Sequence, residues 1–136
     1  MEEIGKFLGW ATAVCFGMSI MSFVVKKINL WIIKQFEKES QLRMFYGKFM
    51  RFIIRNHMYF GIGAGALAIS HLYIQISNGK TSLVGIMAVT LMILTILLGV
   101  AMKKIGIAKH KWLLYTHRSV VVMLLFTIIV HIILVG

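Results

Sequence analysis

The chain has 136 residues, of which 60% are apolar, with no proline and only four acids, and its mean hydropathy is +0.88. Such a composition is too apolar for a water-soluble domain of this size and predicts a membrane protein. At about 20 residues per crossing, the length provides for four or five spans and leaves no room for a soluble catalytic, nucleotide-binding or flavin-binding module. Fifteen Lys and Arg against four acids give a net charge of +11. Spread over a soluble surface, that charge would point to nucleic acid. Here the cations gather in two stretches between apolar runs, as in loops facing the anionic lipids of a cytoplasmic leaflet, so the partner is lipid and not nucleic acid. The single cysteine, Cys15, excludes an internal disulfide and any CxxC motif. It lies in an apolar run without a basic neighbour and reads as an inert packing residue.

In chain order, four apolar runs cover residues 4–25, 58–76, 83–102 and 116–135. Each is long enough to cross as a helix. The first opens with Glu2 and Glu3 in place of a basic segment and is too long for a cleaved leader, so it counts as a span. Lys26, Lys27, Lys34, Lys38, Arg43, Lys48, Arg51 and Arg55 fall between the first two runs, and Lys103, Lys104, Lys109, Lys111 and Arg118 bracket the third connection. Those connections are predicted to be cytoplasmic, with both termini and the Ser77–Lys80 turn outside. The first connection carries Trp31, Phe36, Phe45, Phe49 and Phe52 at near-helical spacing among its cations. It predicts two cytoplasmic helix extensions broken between Glu37 and Gln41, with basic faces against headgroups and aromatic faces packed or dipping into the interface. The fold class is therefore all-α, an integral membrane four-helix bundle forming one domain over residues 1–136.

Ionisable groups inside spans are rare and usually functional, and here those well inside are all histidines. His57 and His71 lie on the second span and His117 and His131 on the fourth, fourteen positions apart in each case. Fourteen steps of about 100° return a side chain to within about 40° of its starting direction and raise it about 21 Å. Both spans run the same way in the orientation above, so His57 meets the level of His117, and His71 that of His131. An isolated histidine in such a helix is usually a packing or proton-relay residue; two equal spacings at matched depths argue against that. Zinc needs four ligands in a tetrahedron, and no Cys, Asp or Glu accompanies either pair. Haem iron needs two axial ligands, because the porphyrin supplies the rest. Without a CxxCH motif the cofactor is of the b type. Two haem b groups are thus expected, an inner one on His57 and His117 and an outer one on His71 and His131.

Gly85 and Gly99 on the third span are also fourteen apart and would let two porphyrin edges pass close to the backbone, although glycine also marks simple close helix packing. The first span offers Gly9 and Gly17, with Ser19 and Ser22 further on, and matches only in part. Propionates need basic or polar partners. Arg55 and Arg118 flank the inner histidines, with Arg51 and Lys111 in reserve, and Lys6, Gln75, Asn78 and Lys80 are candidates outside; ordinary snorkelling at the boundary is the alternative for the arginines. Thr127, four before His131, is a candidate to steady that ring. The ten methionines form no ligand cluster and read as packing, and His110, between two lysines, reads as a solvated side chain.

The pairs His57-x13-His71 and His117-x13-His131 on alternate helices, with Gly85-x13-Gly99 between them, resemble the four-helix di-haem core of respiratory cytochrome b. The pattern is also similar to ferric-reductase-like proteins and NADPH oxidases, and to small cytochrome b561 proteins, whose ligands are commonly distributed differently. The resemblance spans essentially the whole chain and implies a prokaryotic plasma-membrane cytochrome that relays electrons between a redox partner protein or quinone and an acceptor across the membrane. Without proline the Pro-Glu-Trp-Tyr quinol motif is absent, as are the reductases' flavin and nicotinamide domains. Two other functions stay open at this point: an oxidoreductase acting at the haem edge on quinone, superoxide or ferric iron, and a haem-free anchor or proton-conducting bundle. A carboxylate proton path has no parts, because Glu2, Glu3, Glu37 and Glu39 all lie outside the spans.

Overall fold

The computed structural model describes residues 2–37, 40–105 and 111–135. The described residues form four helices, α1 (Glu2–Trp31), α2 (Gln41–Ser77), α3 (Leu83–Ile105) and α4 (Lys111–Val135), with one 3-10 turn at Ile33–Gln35. Each is long and apolar enough to cross a membrane. A helix satisfies its backbone hydrogen bonds within one segment, which is what an apolar surrounding demands. The exterior fits such surroundings, since large apolar side chains such as Phe7, Tyr73 and Ile133 are more than 70% exposed.

The two predicted extensions are continuous with their spans. α1 runs on to Trp31, and α2 is a single helix of 37 residues, about 55 Å long against a hydrocarbon thickness of about 30 Å. The break, predicted between Glu37 and Gln41, begins earlier: α1 ends at Trp31, and the backbone turns through Ile33–Gln35 and becomes extended at Phe36; Lys38 and Glu39 lie outside the described residues. The Arg43 guanidinium donates to the Phe36 carbonyl at 2.8 Å, and the Tyr46 hydroxyl donates to the Val25 carbonyl at 2.7 Å, tying the two arms together.

At the other end α2 stops in a Schellman turn. The Lys80 amide donates to the Gln75 carbonyl and the Gly79 amide to that of Ile76, with Gly79 at φ 67°, a conformation that favours glycine. Ser82 then caps α3, its hydroxyl accepting the Gly85 amide at 3.0 Å.

Each helix packs on its neighbour in sequence, so α2 and α4 run in the same direction. Among the described residues no Cα of α2 comes within 8 Å of one in α4, and α1 keeps the same separation from α3 and α4. The bundle is closed at mid-height by one residue from each helix, the buried cluster Phe16, Ala64, Met92 and Leu124. Three of these sit midway in a fourteen-residue interval: Ala64 between His57 and His71, Met92 between Gly85 and Gly99, Leu124 between His117 and His131. Two steps of seven bring all three positions onto one helix face. α2 and α4 thus stand apart along their length, with a packed layer of side chains between them at mid-height.

Candidate functional site

The structure brings the four span histidines together in two levels. At the level near the 77–82 turn, the His71 and His131 ring centres are 6.4 Å apart with the planes at 81°. At the basic end, His117 lies within electrostatic reach of His57. His110, predicted to be solvated, lies outside the described residues. An imidazole nitrogen sits about 2 Å from a metal ion it binds and about 1.2 Å from its own ring centre, so two imidazoles holding one ion from opposite sides have centres about 6.4 Å apart. The turn-end pair has that separation.

Which nitrogen faces the cleft is set by the helix that precedes each ligand helix. His71 Nδ1 donates to the Gly5 carbonyl at 2.8 Å, and His57 Nδ1 to the Ser19 carbonyl at 2.9 Å, with the Ser19 and Ser22 hydroxyls each 3.1 Å away. A carbonyl only accepts, so Nδ1 carries the proton and Nε2 keeps its lone pair. Gly5 and Ser19 are themselves fourteen apart; on the antiparallel α1 they reproduce the histidine spacing in reverse. Ser19 stood out in the sequence only for its small side chain and Gly5 not at all, because the partners are backbone oxygens that every residue carries. On the other side, His131 Nδ1 lies 3.2 Å from the Ser82 hydroxyl. His117 Nδ1 is buried without a hydrogen-bond partner among the described residues.

The glycines make room for these rings. A Cβ on Gly9 would lie 3.2 Å from His71 Cε1, one on Gly85 3.1 Å from His131 Cε1, and one on Gly99 3.7 Å from His117 Cε1. Gly85 and Gly99 were expected to face porphyrin edges; their space is taken by the imidazoles, which approach the α3 backbone edge-on. Gly17 meets nothing within 4 Å and has no such role.

Between His71 and His131 opens a cleft of about 340 Å³ to which all four helices contribute, through Gly9, His71, Gly85, Met92, Ile128 and His131 among others. Its volume falls within the range of small-molecule sites. Lys6, Gln75 and Lys80 line it near the turn, where anionic substituents of a ligand would emerge. Asn78, the fourth residue predicted there, is not in the lining, and its Nδ2 is buried without a partner. Among the described residues no group of three or more His, Cys, Asp or Glu converges. Two opposed imidazoles in an apolar cleft fit haem, which needs two axial ligands and an apolar berth.

Three predicted helpers stand elsewhere. Arg55 is two positions, about 200°, around α2 from His57, and it lines an outer groove with Lys48, Arg51 and Phe52. It is not beside the imidazole. Arg118 stacks its guanidinium over the Phe23 ring at 5.9 Å, joining α4 to α1 at the basic end. The Thr127 hydroxyl donates to the Met123 carbonyl of its own helix at 2.8 Å and does not steady His131; Ser82 is the hydroxyl found there.

No protein-family model, curated protein or solved structure matches the chain.

Proposed function

We propose that the chain is a membrane cytochrome b holding two haem b groups, one between His57 and His117 at the basic end and one between His71 and His131 near the turn, and that it relays electrons between the two faces of a prokaryotic plasma membrane. The observation that carries this reading is the opposed His71–His131 pair, its ring centres 6.4 Å apart in a cleft lined by all four helices. Bound there, haem supplies reversible one-electron transfer at its iron. The chain's own residues do the rest. The Gly5 and Ser19 carbonyls orient His71 and His57 so that Nε2 is the donor. Gly9 and Gly85 let the rings approach the backbone, and Lys6, Gln75 and Lys80 give the outer propionates cationic and polar neighbours. The buried Phe16–Ala64–Met92–Leu124 layer separates the two levels.

The basic end faces the cytoplasm by its excess of Lys and Arg, which leaves both termini outside. The hairpin formed by the end of α1 and the start of α2 presents cations beside exposed aromatics such as Trp31 and Phe45, a surface suited to an acidic electron-carrier protein; quinone is the membrane-soluble exchange partner. The test is spectroscopic. Purified from haem-sufficient cells, the protein should show b-type bands on reduction and about two haems per chain by pyridine haemochrome. His57→Ala or His117→Ala should abolish the basic-end haem and spare the other. A colourless protein, or equal loss of both haems in each variant, overturns the reading.

A further inference from the structure

The four imidazoles are not held alike. His57 and His71 face backbone carbonyls, which accept and never donate, so their tautomer is set before any ligand arrives. His131 faces a hydroxyl, which does both. The Ser82 oxygen already accepts the Gly85 amide as the cap of α3. It retains one lone pair and one proton, and either can serve His131 Nδ1. If Nδ1 donates to the hydroxyl, Nε2 is a lone pair facing the cleft. If the hydroxyl donates to Nδ1, the ring proton sits on Nε2.

The second arrangement suits the protein without its cofactor. His71 Nε2 is an unprotonated acceptor, and the His131 ring across the cleft is 6.4 Å away centre to centre, so two lone pairs sharing an apolar cleft are worse than one lone pair and one N–H. Resting on the di-haem reading above, we infer that Ser82 is a positioning residue that switches the His131 tautomer: His71 ligates first, and His131 follows once Ser82 has passed its proton to Nδ1. The exchange balances. Nδ1 gains the hydroxyl proton, Nε2 releases its own to water at the cleft mouth, an equivalent proton returns from that water to the serine oxygen, and no net proton is taken up. Haem therefore loads onto α2 before α4 at this level.

The test uses full-length protein in nanodiscs, labelled with 15N-histidine and produced with and without haem supply. In haem-free protein the nitrogen shifts should report Nδ1–H for His57 and His71 and Nε2–H for His131. Ser82→Asp keeps the helix cap but only accepts, so it should move His131 to Nδ1–H. Ser82→Thr should match the parent, and Ser82→Ala should lose the hydrogen-bonded signature. In loaded protein the outer haem's midpoint potential should fall in Ser82→Asp and rise in Ser82→Ala, because a stronger acceptor makes the imidazole a stronger donor, with the basic-end haem unmoved. His131→Ala should still take up the outer haem in five-coordinate, high-spin form; His71→Ala should not. An Nδ1–H signal for His131 in the haem-free parent, or identical outer-haem potentials in the Ala, Thr and Asp variants, overturns the inference. A protein that never takes up haem overturns the functional reading instead, and the haem-free nitrogen shifts still decide the Ser82 switch.

Discussion

A Cβ at Gly85 would meet both His131 Cε1 at 3.1 Å and the Ser82 hydroxyl at 3.0 Å, whereas one at Gly99 would meet His117 Cε1 at an ordinary 3.7 Å. The two glycines look equivalent in the sequence and differ in consequence. Gly85→Ala should displace the His131 ring at a cost of about 1–3 kcal/mol, typical of overpacking, and lower outer-haem occupancy; Gly99→Ala should leave both haems in place. Haem content and reduced spectra of the two variants check this, and an equal effect would contradict it. Ser19→Ala should be nearly silent on the His57 level. It deletes a hydroxyl 3.1 Å from Nδ1 but leaves the carbonyl that accepts its proton at 2.9 Å.

The arms that project beyond the spans are held by side chain to backbone bonds. Tyr46→Phe removes the 2.7 Å hydrogen bond to the Val25 carbonyl and should loosen the hairpin by about 1 kcal/mol, read as faster amide exchange at the ends of α1 and α2 with unchanged exchange at mid-span. Burial raises the Tyr46 phenol above its usual value. A raised folded value means that the contribution is complete below the unfolded value of about 10 and is lost as pH climbs through the folded one. Protection of the hairpin amides, taken relative to their intrinsic exchange rates, should therefore fall only in strongly alkaline solution, and Tyr46→Phe should abolish that fall. At the opposite end, Gly79 at φ 67° ends α2, and Gly79→Ala should cost about 1 kcal/mol in unfolding experiments, with Asn tolerated better.

The mid-height layer joins the two levels. Leu124 and Ala64 are fully buried there and pack with Phe16 and Met92. Leu124→Ala should leave a cavity, since α2 and α4 do not approach within 8 Å to close it, and should destabilise the bundle by about 2 kcal/mol. Surrounding lipid supplies no hydrophobic drive between helices, so lost packing contacts account for that cost. Denaturation in mixed detergent should show it, with haem content at both levels retained until unfolding. Loss of both haems under native conditions would mean that the layer positions the ligands as well as separating the levels.

Much of the architecture was legible from the amino-acid order, because an apolar helix has little freedom in what it can become. Four spans, two long basic extensions and two histidine levels follow from hydropathy and from the return of a 3.6-residue period after fourteen positions. Gly85 and Gly99 were legible as close-approach positions, though the atoms that fill the space were not. Arg55, two positions before the proposed ligand His57, lies on the far side of its helix, since each residue turns the facing direction by about 100°. The hydrogen-bond partners of the imidazoles were illegible for a different reason. Gly5 and Ser19 act through backbone carbonyls that every residue carries, and only the antiparallel register of α1 on α2 decides which of them meets a ring. Periodicity along one helix thus belonged to the sequence by itself, while the pairing of atoms between helices was decided by tertiary packing.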